Sequence, residues 1–165
     1  MKVDINLKIY AFGGTPKRDI DDFIGELLQF GIKSSFLDKL PIPENSYNPK
    51  REQYDVDPLS DILADYNNYV LGITDVDLYS ESLNFIFGKA YPHKKVAIVS
   101  INRLHSGDRK LFINRVLKEV IHELGHVFGL DHCNNIKCVM FFSNTLSDTD
   151  RKSKEFCEGC RYVLN

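Results

Sequence analysis

His122-Glu123-Leu124-Gly125-His126-Val127-Phe128-Gly129-Leu130-Asp131-His132 is the stretch on which the reading of this 165-residue chain turns. It closes a run beginning near Asp108 in which Ile113, Val116, Leu117, Val120, Ile121, Leu124, Val127 and Phe128 recur at helical spacing, so one apolar stripe marks a long helix. Advancing ~100° per residue from Ile113 centres that stripe near ~10° and puts His122 near ~180° and His126 near ~220°. The two histidines are therefore expected to point away from the core. Four residues apart, they stand about 6 Å along the axis on one face, so both imidazoles can reach one cation, and a zinc ion suits them. Gly129, with no Cβ, can end the helix in a left-handed conformation and swing the chain back, which returns His132 as a third ligand. The short HExxH pattern recurs by chance; a glycine and a third histidine at fixed offsets make the match specific.

All four cysteines follow directly. Cys133-x4-Cys138 and Cys157-x2-Cys160, eighteen residues apart, have the paired spacing of a four-thiolate structural zinc site. Disulfides are the alternative, but thiols in the cytoplasm stay reduced and a redox CxxC would leave the first pair unexplained, which favours metal. The expected content is thus two Zn²⁺ per chain. Ser147, followed by Asp148 and Asp150, reads as a helix start that would place Cys157 near the end of a last short helix and Cys160 just beyond it. Because Cys133 adjoins His132, a defect in the cysteine site is expected to disturb the histidine site as well.

With these residues in view, the chain resembles the metzincin zinc endopeptidases, whose consensus is the extended histidine motif. His132-Cys133, Cys138, Met140 and the segment Phe156-Cys157-Glu158-Gly159-Cys160 are similar to the HExxHxxGxxHCxxxxCxM and CxxC elements of the archaemetzincin branch. The likeness is dense from His122 to Cys160 and fainter upstream, in Leu71-Gly72-Ile73-Thr74 and residues 84–90 and 99–104. It implies that Met140 is the methionine of a turn packed beneath the catalytic metal, and that an extended peptide pairs with the edge strand of the sheet, for which residues 84–91 are the candidate.

Outward from the motif, Val3, Ile5, Leu7 and Ile9 alternate with polar neighbours as a half-buried strand does. Gly13, Gly14 and Pro16 end it, and Ile20, Phe23, Ile24, Leu27 and Leu28 follow at helical spacing up to Gly31. Residues 32–40, 69–74, 84–91 and 96–101 are expected strands, and the proline-bearing residues 41–58 read as a surface loop. His93 and His105 sit in turn-like contexts and are given no chemical role. The expectation is one α+β domain: a twisted mixed sheet backed by helices and a long active-site helix (residues 1–129), then a small C-terminal subdomain tied by the four-cysteine zinc site (residues 130–165).

Composition sets the limits around this. Twenty-one Lys plus Arg against 23 Asp plus Glu give a net charge of −2, which argues against a nucleic-acid surface. The longest unbroken apolar run is five residues, Cys138 to Phe142, where a membrane span needs roughly 20. No signal-like stretch opens the chain, so a cytoplasmic monomer acting on peptides is expected, without nucleic-acid or membrane partners. A strand starting near residue 2 leaves no room for an inhibitory pro-segment, and the 41–58 loop is expected to limit access to the cleft instead. Chemically, three neutral histidines leave a fourth position for a water whose pKa zinc lowers to about 7. Glu123, ~100° round from His122, is expected to act on that water as general base in peptide-bond hydrolysis. The alternative is a zinc-stabilised peptide-binding module with an empty or shielded histidine site and negligible turnover.

Overall fold

A computed structural model describes residues 4–81 and 83–165. The first expected strand forms as β1 (Ile5–Phe12), with Leu7, Ile9 and Ala11 buried on one face; its expected start at Lys2 and Val3 lies outside the described residues. The amphipathic run becomes α1 (Lys17–Leu27), which buries Ile20, Phe23 and Leu27. A 3-10 turn over Leu28–Phe30 ends on Gly31, whose φ of 74° is the left-handed stop that glycine makes cheap. The chain then returns as β2 (Ile32–Leu40), parallel to β1.

Further along the chain come β3 (Tyr47–Asn48), β4 (Gln53–Asp55), α2 (Asp57–Leu63), β5 (Tyr69–Thr74), β6 (Leu78–Tyr79), β7 (Gly88–Tyr91) and β8 (Val96–Ser100). The main sheet runs in the order β2-β1-β5-β8-β7. Its first four strands are parallel, and β7 closes the edge antiparallel to β8. α3 (Arg109–Val127) begins at Asp108, whose carboxylate accepts from the backbone N–H groups of Lys110 and Leu111 at 3.0 and 3.2 Å. Alternation divides the sheet's side chains between two cores. Leu71, Ile73, Ala97 and Val99 pack with those of β1 against α1 and α3. Val70, Val96 and Ile98 pack with Leu59 and Leu63 of α2 on the other face. Covered on both sides, β5 and β8 read as near-continuous apolar runs, as parallel strands do. Beyond α3 come α4 (Leu146–Arg151) and α5 (Glu158–Leu164). Among the described residues no helix is long and apolar enough to cross a membrane.

Three expectations need correction. Residues 41–58 are not simply a surface loop: they hold β3 and β4, their Ser46, Gln53 and Val56 are buried, and they lead into α2. Pro58 sits in the first turn of α2, where its missing N–H costs nothing. Of residues 84–91 only Gly88–Tyr91 pair as a strand, whereas Ile86 makes an isolated bridge to Leu78. The carbonyls of Leu83 and Asn84 are occupied by the Arg51 guanidinium at 2.7 and 3.1 Å, and that of Asn84 also by the Gln53 amide at 2.8 Å. Finally, the C-terminal helix is two helices. Thr145, not Ser147, caps α4, in a reciprocal box with Asp148, and Cys157 is the N-cap residue of α5 rather than the end of α4.

Candidate active site and metal centres

α3 carries His122, Glu123 and His126, and the chain turns back after it as the glycine predicted. Gly129 has φ 100°; its N–H bonds to the carbonyl of His126 at 3.0 Å and that of Leu130 to Gly125 at 2.9 Å, the paired bonds of a Schellman ending. His132 follows on the return, exposed at the mouth of a cleft of about 680 Å³ that runs between β7, α3 and residues 142–144. The histidine face of α3 points away from the sheet core and lines the cleft, with His126 half-buried and His122 buried. His122 is 4% exposed, because residues 138–140 lie across it.

Two backbone carbonyls fix the imidazoles. His122 Nδ1 lies 2.7 Å from the carbonyl of Val139, and His126 Nδ1 lies 2.7 Å from that of Leu130. A carbonyl can only accept, so both Nδ1 atoms carry the proton and both Nε2 atoms carry a bare lone pair. Those two Nε2 atoms face each other at 3.2 Å. Two lone pairs so placed repel unless a cation lies between them, and four-coordinate zinc, with bonds of about 2.0–2.1 Å, sets nitrogens about 3.3 Å apart. The ligand atoms of His122, His126 and His132 all lie within 4.8 Å of one another. Burial pushes all three histidines below the ordinary value, and the nearby Lys152 ammonium adds to this, which keeps them neutral as ligands must be.

Glu123 is buried beside them, 6% exposed. A Cβ on Gly88 of β7 would lie 2.8 Å from its Cγ, so only glycine lets the edge strand pass so close. Burial, with the Glu119 carboxylate one turn away, pushes Glu123 up to about 8, against the opposing pull of Lys152.

Met140 is fully buried, and a Cβ at Gly125 would collide with its sulfur. The methionine therefore packs on the bare backbone of α3 beside the two histidines. Gly125→Ala is expected to cost about 1–3 kcal/mol through overpacking, read as a lower urea midpoint at unchanged slope.

The four cysteines also converge. Cys133 Sγ and Cys157 Sγ are 3.7 Å apart, as are Cys138 Sγ and Cys160 Sγ. This is far beyond the roughly 2.05 Å of a disulfide and matches the about 3.8 Å that zinc–thiolate bonds near 2.3 Å imply for a tetrahedron. Without a metal, burial pushes the Cys138 and Cys160 thiols up, while the backbone N–H of Cys160 lowers Cys157 to about 7, so the sulfur positions rather than the acidities speak for a metal.

A buried polar set on α3 escaped the sequence reading. Arg115 pairs with Asp150 at 2.7 Å, Lys118 donates to the carbonyls of Thr149 and Asp150, and Glu119 meets Lys152 at 3.2 Å. Their spacing continues the face of His122 and Glu123, and that was the available signal: a helix face this polar that still carries a metal motif must be covered by something polar, here α4 and Lys152.

Neutral imidazoles aimed at one point beside a buried glutamate place the protein among the metallopeptidases, and likeness to known proteins narrows the class. The sequence model of peptidase family M54 matches residues 39–165, and the chain belongs to that family, as a zinc-dependent metallopeptidase. It is 44% identical over 170 residues to archaemetzincin of Pyrococcus furiosus, covering 92% of this chain and 88% of that protein. The crystal structure of Methanopyrus kandleri archaemetzincin superposes with a TM-score of 0.88 at 39% identity, over 97% of this chain and 93% of that one. A zinc-dependent peptidase from Methanocorpusculum labreanum does so at 0.85 and 32%, over 96% of this chain and 100% of that one. The archaemetzincin resemblance and the mixed α/β fold with its histidine and cysteine groups are thus borne out.

Proposed function

We propose that the chain hydrolyses peptide bonds at a catalytic zinc held by His122, His126 and His132, with Glu123 as general base, and that Cys133, Cys138, Cys157 and Cys160 hold a second, structural zinc. The observation that carries this is the pair of bare Nε2 atoms at 3.2 Å, each fixed by a carbonyl behind it. When bound, zinc supplies a Lewis acid for the scissile carbonyl and lowers the pKa of water toward about 7. The rest falls to the chain. The free edge of β7 pairs with an extended peptide and lays it across the cleft. Glu123, buried beside the histidines, takes a proton from the attacking water and returns it to the departing amine nitrogen.

In this reading residues 130–165 are a lower subdomain closing the cleft against residues 1–129, and the protein is a cytoplasmic monomer with its thiols reduced. Protein purified without chelator is expected to hold two zinc ions per chain and to cleave a mixed peptide library, scored by mass spectrometry. One zinc and no new termini would instead favour a peptide-binding module.

Residues 41–58 act here by bracing the rim of the cleft rather than by covering it. Arg51 holds the carbonyls of Leu83 and Asn84 and stacks 4.0 Å over Tyr79, while Arg103 pairs with Asp77 at 2.7 Å and lies 4.1 Å over Phe85. Arg51→Ala is expected to raise KM about fivefold while changing kcat less than twofold, since it loosens peptide binding and not the reacting groups. Steady-state kinetics on one peptide checks this; an unchanged KM would remove the bracing role.

A further inference from the structure

One turn of α3 behind Glu123, about 6 Å along the axis, the cleft is lined by Glu119 and Ser143. Both are buried, at 2% and 9% exposed. The Ser143 hydroxyl oxygen has no hydrogen-bond partner among the described residues. Glu119 uses Oε1 twice, accepting from the Thr149 hydroxyl at 3.0 Å and pairing with the Lys152 ammonium at 3.2 Å; among the described residues no hydrogen bond reaches its Oε2. The Lys152 ammonium ties the two together, reaching Glu119 Oε1 at 3.2 Å and the carbonyl of Phe141, two residues before Ser143, at 3.3 Å. We propose that this part of the cleft is a specificity subsite for a neutral amide side chain, glutamine or asparagine, flanking the scissile bond. The proposal rests on the cleft being the peptide site.

The chemistry follows from what each alternative leaves unpaired. An amide both donates and accepts, so its NH₂ can satisfy the free oxygen of Glu119 while its carbonyl takes the Ser143 hydroxyl. An apolar side chain leaves both groups dry and unpaired, the situation that sites built for hydrogen bonding reject most strongly. A carboxylate meets the Glu119 carboxylate. A lysine or arginine meets a charge already compensated, because Lys152 has no exposed side-chain surface and cannot move aside for a second cation. The other charges on this face are also committed: Arg115 to Asp150, and Lys118 to the carbonyls of Thr149 and Asp150. At the cleft wall itself the Glu119–Lys152 pair is therefore polar and electrically neutral, and neither Arg115 nor Lys118 lines the cleft.

The test is a set of peptides differing only at the two residues flanking the cleaved bond, each carrying Gln, Asn, Leu, Glu or Lys in turn. In the zinc-loaded protein kcat/KM is expected to favour an amide at one of these positions over Leu, Glu and Lys by about tenfold or more. Ser143→Ala is expected to cut the amide-over-Leu ratio to within about twofold without lowering the unfolding midpoint, since the hydroxyl it removes bonds to nothing in the fold. The double variant Glu119→Leu/Lys152→Met replaces the ion pair by apolar groups of like size and is expected to turn the preference to Leu. Cleavage that is indifferent to the five residues, or that favours Leu in the unaltered protein, overturns the subsite while leaving the peptidase intact. Should no peptide be cleaved, the peptidase reading fails, and calorimetric binding of the Gln and Leu peptides to Glu123→Gln protein still decides the subsite: equal affinities overturn it, and tighter binding of the Gln peptide supports it.

Discussion

Glu123→Gln is expected to lower kcat by about 10²–10⁴-fold, the contribution a positioned general base makes, while leaving zinc content and fold as they are. The side chain keeps its shape, so the close passage of Gly88 over its Cγ is preserved. Zinc is retained because the nitrogens converging on the metal point belong to His122, His126 and His132, whereas Glu123 is not among the convergent donors. Stability is expected to hold or rise. The native carboxyl is buried near a second acid, Glu119, and the amide removes a group whose ionised form that burial and that neighbour disfavour. Metal analysis, a thermal unfolding curve and kcat on one cleaved peptide make the measurement complete. Loss of turnover together with zinc would mean that the substitution damaged the site, and turnover within tenfold of the unaltered protein would remove Glu123 from the proton path. The same variant gives an inactive protein in which peptide binding can be measured without cleavage.

Much of the fold was legible because it obeys a single period at a time. β1 alternates, α1 and the sheet-facing side of α3 repeat at helical spacing, and Gly31 and Gly129 stop their helices with positive φ. The site was more legible still, since the metal motif needs its residue types at fixed offsets. For most of what escaped the reading, the deciding partner is distant in sequence. Arg51 and Gln53 look like loop residues until the carbonyls of Leu83 and Asn84 are brought to them. Lys152 looks like a surface lysine, yet its side chain has no exposed surface and answers Glu119, 33 residues earlier in the chain. For the polar face of α3 beyond His122, periodicity reports which side is apolar and says nothing about what covers the other. Cys157 was placed at a helix end by counting forward from Ser147, but Lys152 leaves α4 in an extended conformation (ψ 158°), so the helix stops early and a new one starts at the cysteine.

Cys138→Ser carries the second large expected effect. Cys138 is buried, with its sulfur 3.3 Å from the backbone nitrogen of Cys157 and 3.5 Å from that of Met140, so it touches both the last helix and the methionine turn. Serine fills the same place with a hard oxygen, a poorer ligand for a thiolate site. The structural zinc is expected to be lost. In zinc-finger peptides such sites contribute about 10–16 kcal/mol; here α3 and the sheet hold most of the core, so a smaller share reaches global stability, read as an unfolding midpoint lower by about 10 °C or more. The effect is expected to travel. The backbone N–H of Cys133 donates to the carbonyl of Met140 at 3.0 Å, Val139 orients His122, and Cys133 adjoins His132, so loosening the cysteine cluster releases two of the three histidines from their fixed positions. Zinc content below one per chain, with turnover lost alongside, is the predicted outcome. His132→Ala provides the contrast, since it removes a ligand from the exposed mouth of the cleft: one zinc retained, turnover lost and the midpoint nearly unchanged. If Cys138→Ser kept two zinc ions and its midpoint, the four sulfurs would be a packed thiol cluster and the coupling between the two centres would have no basis.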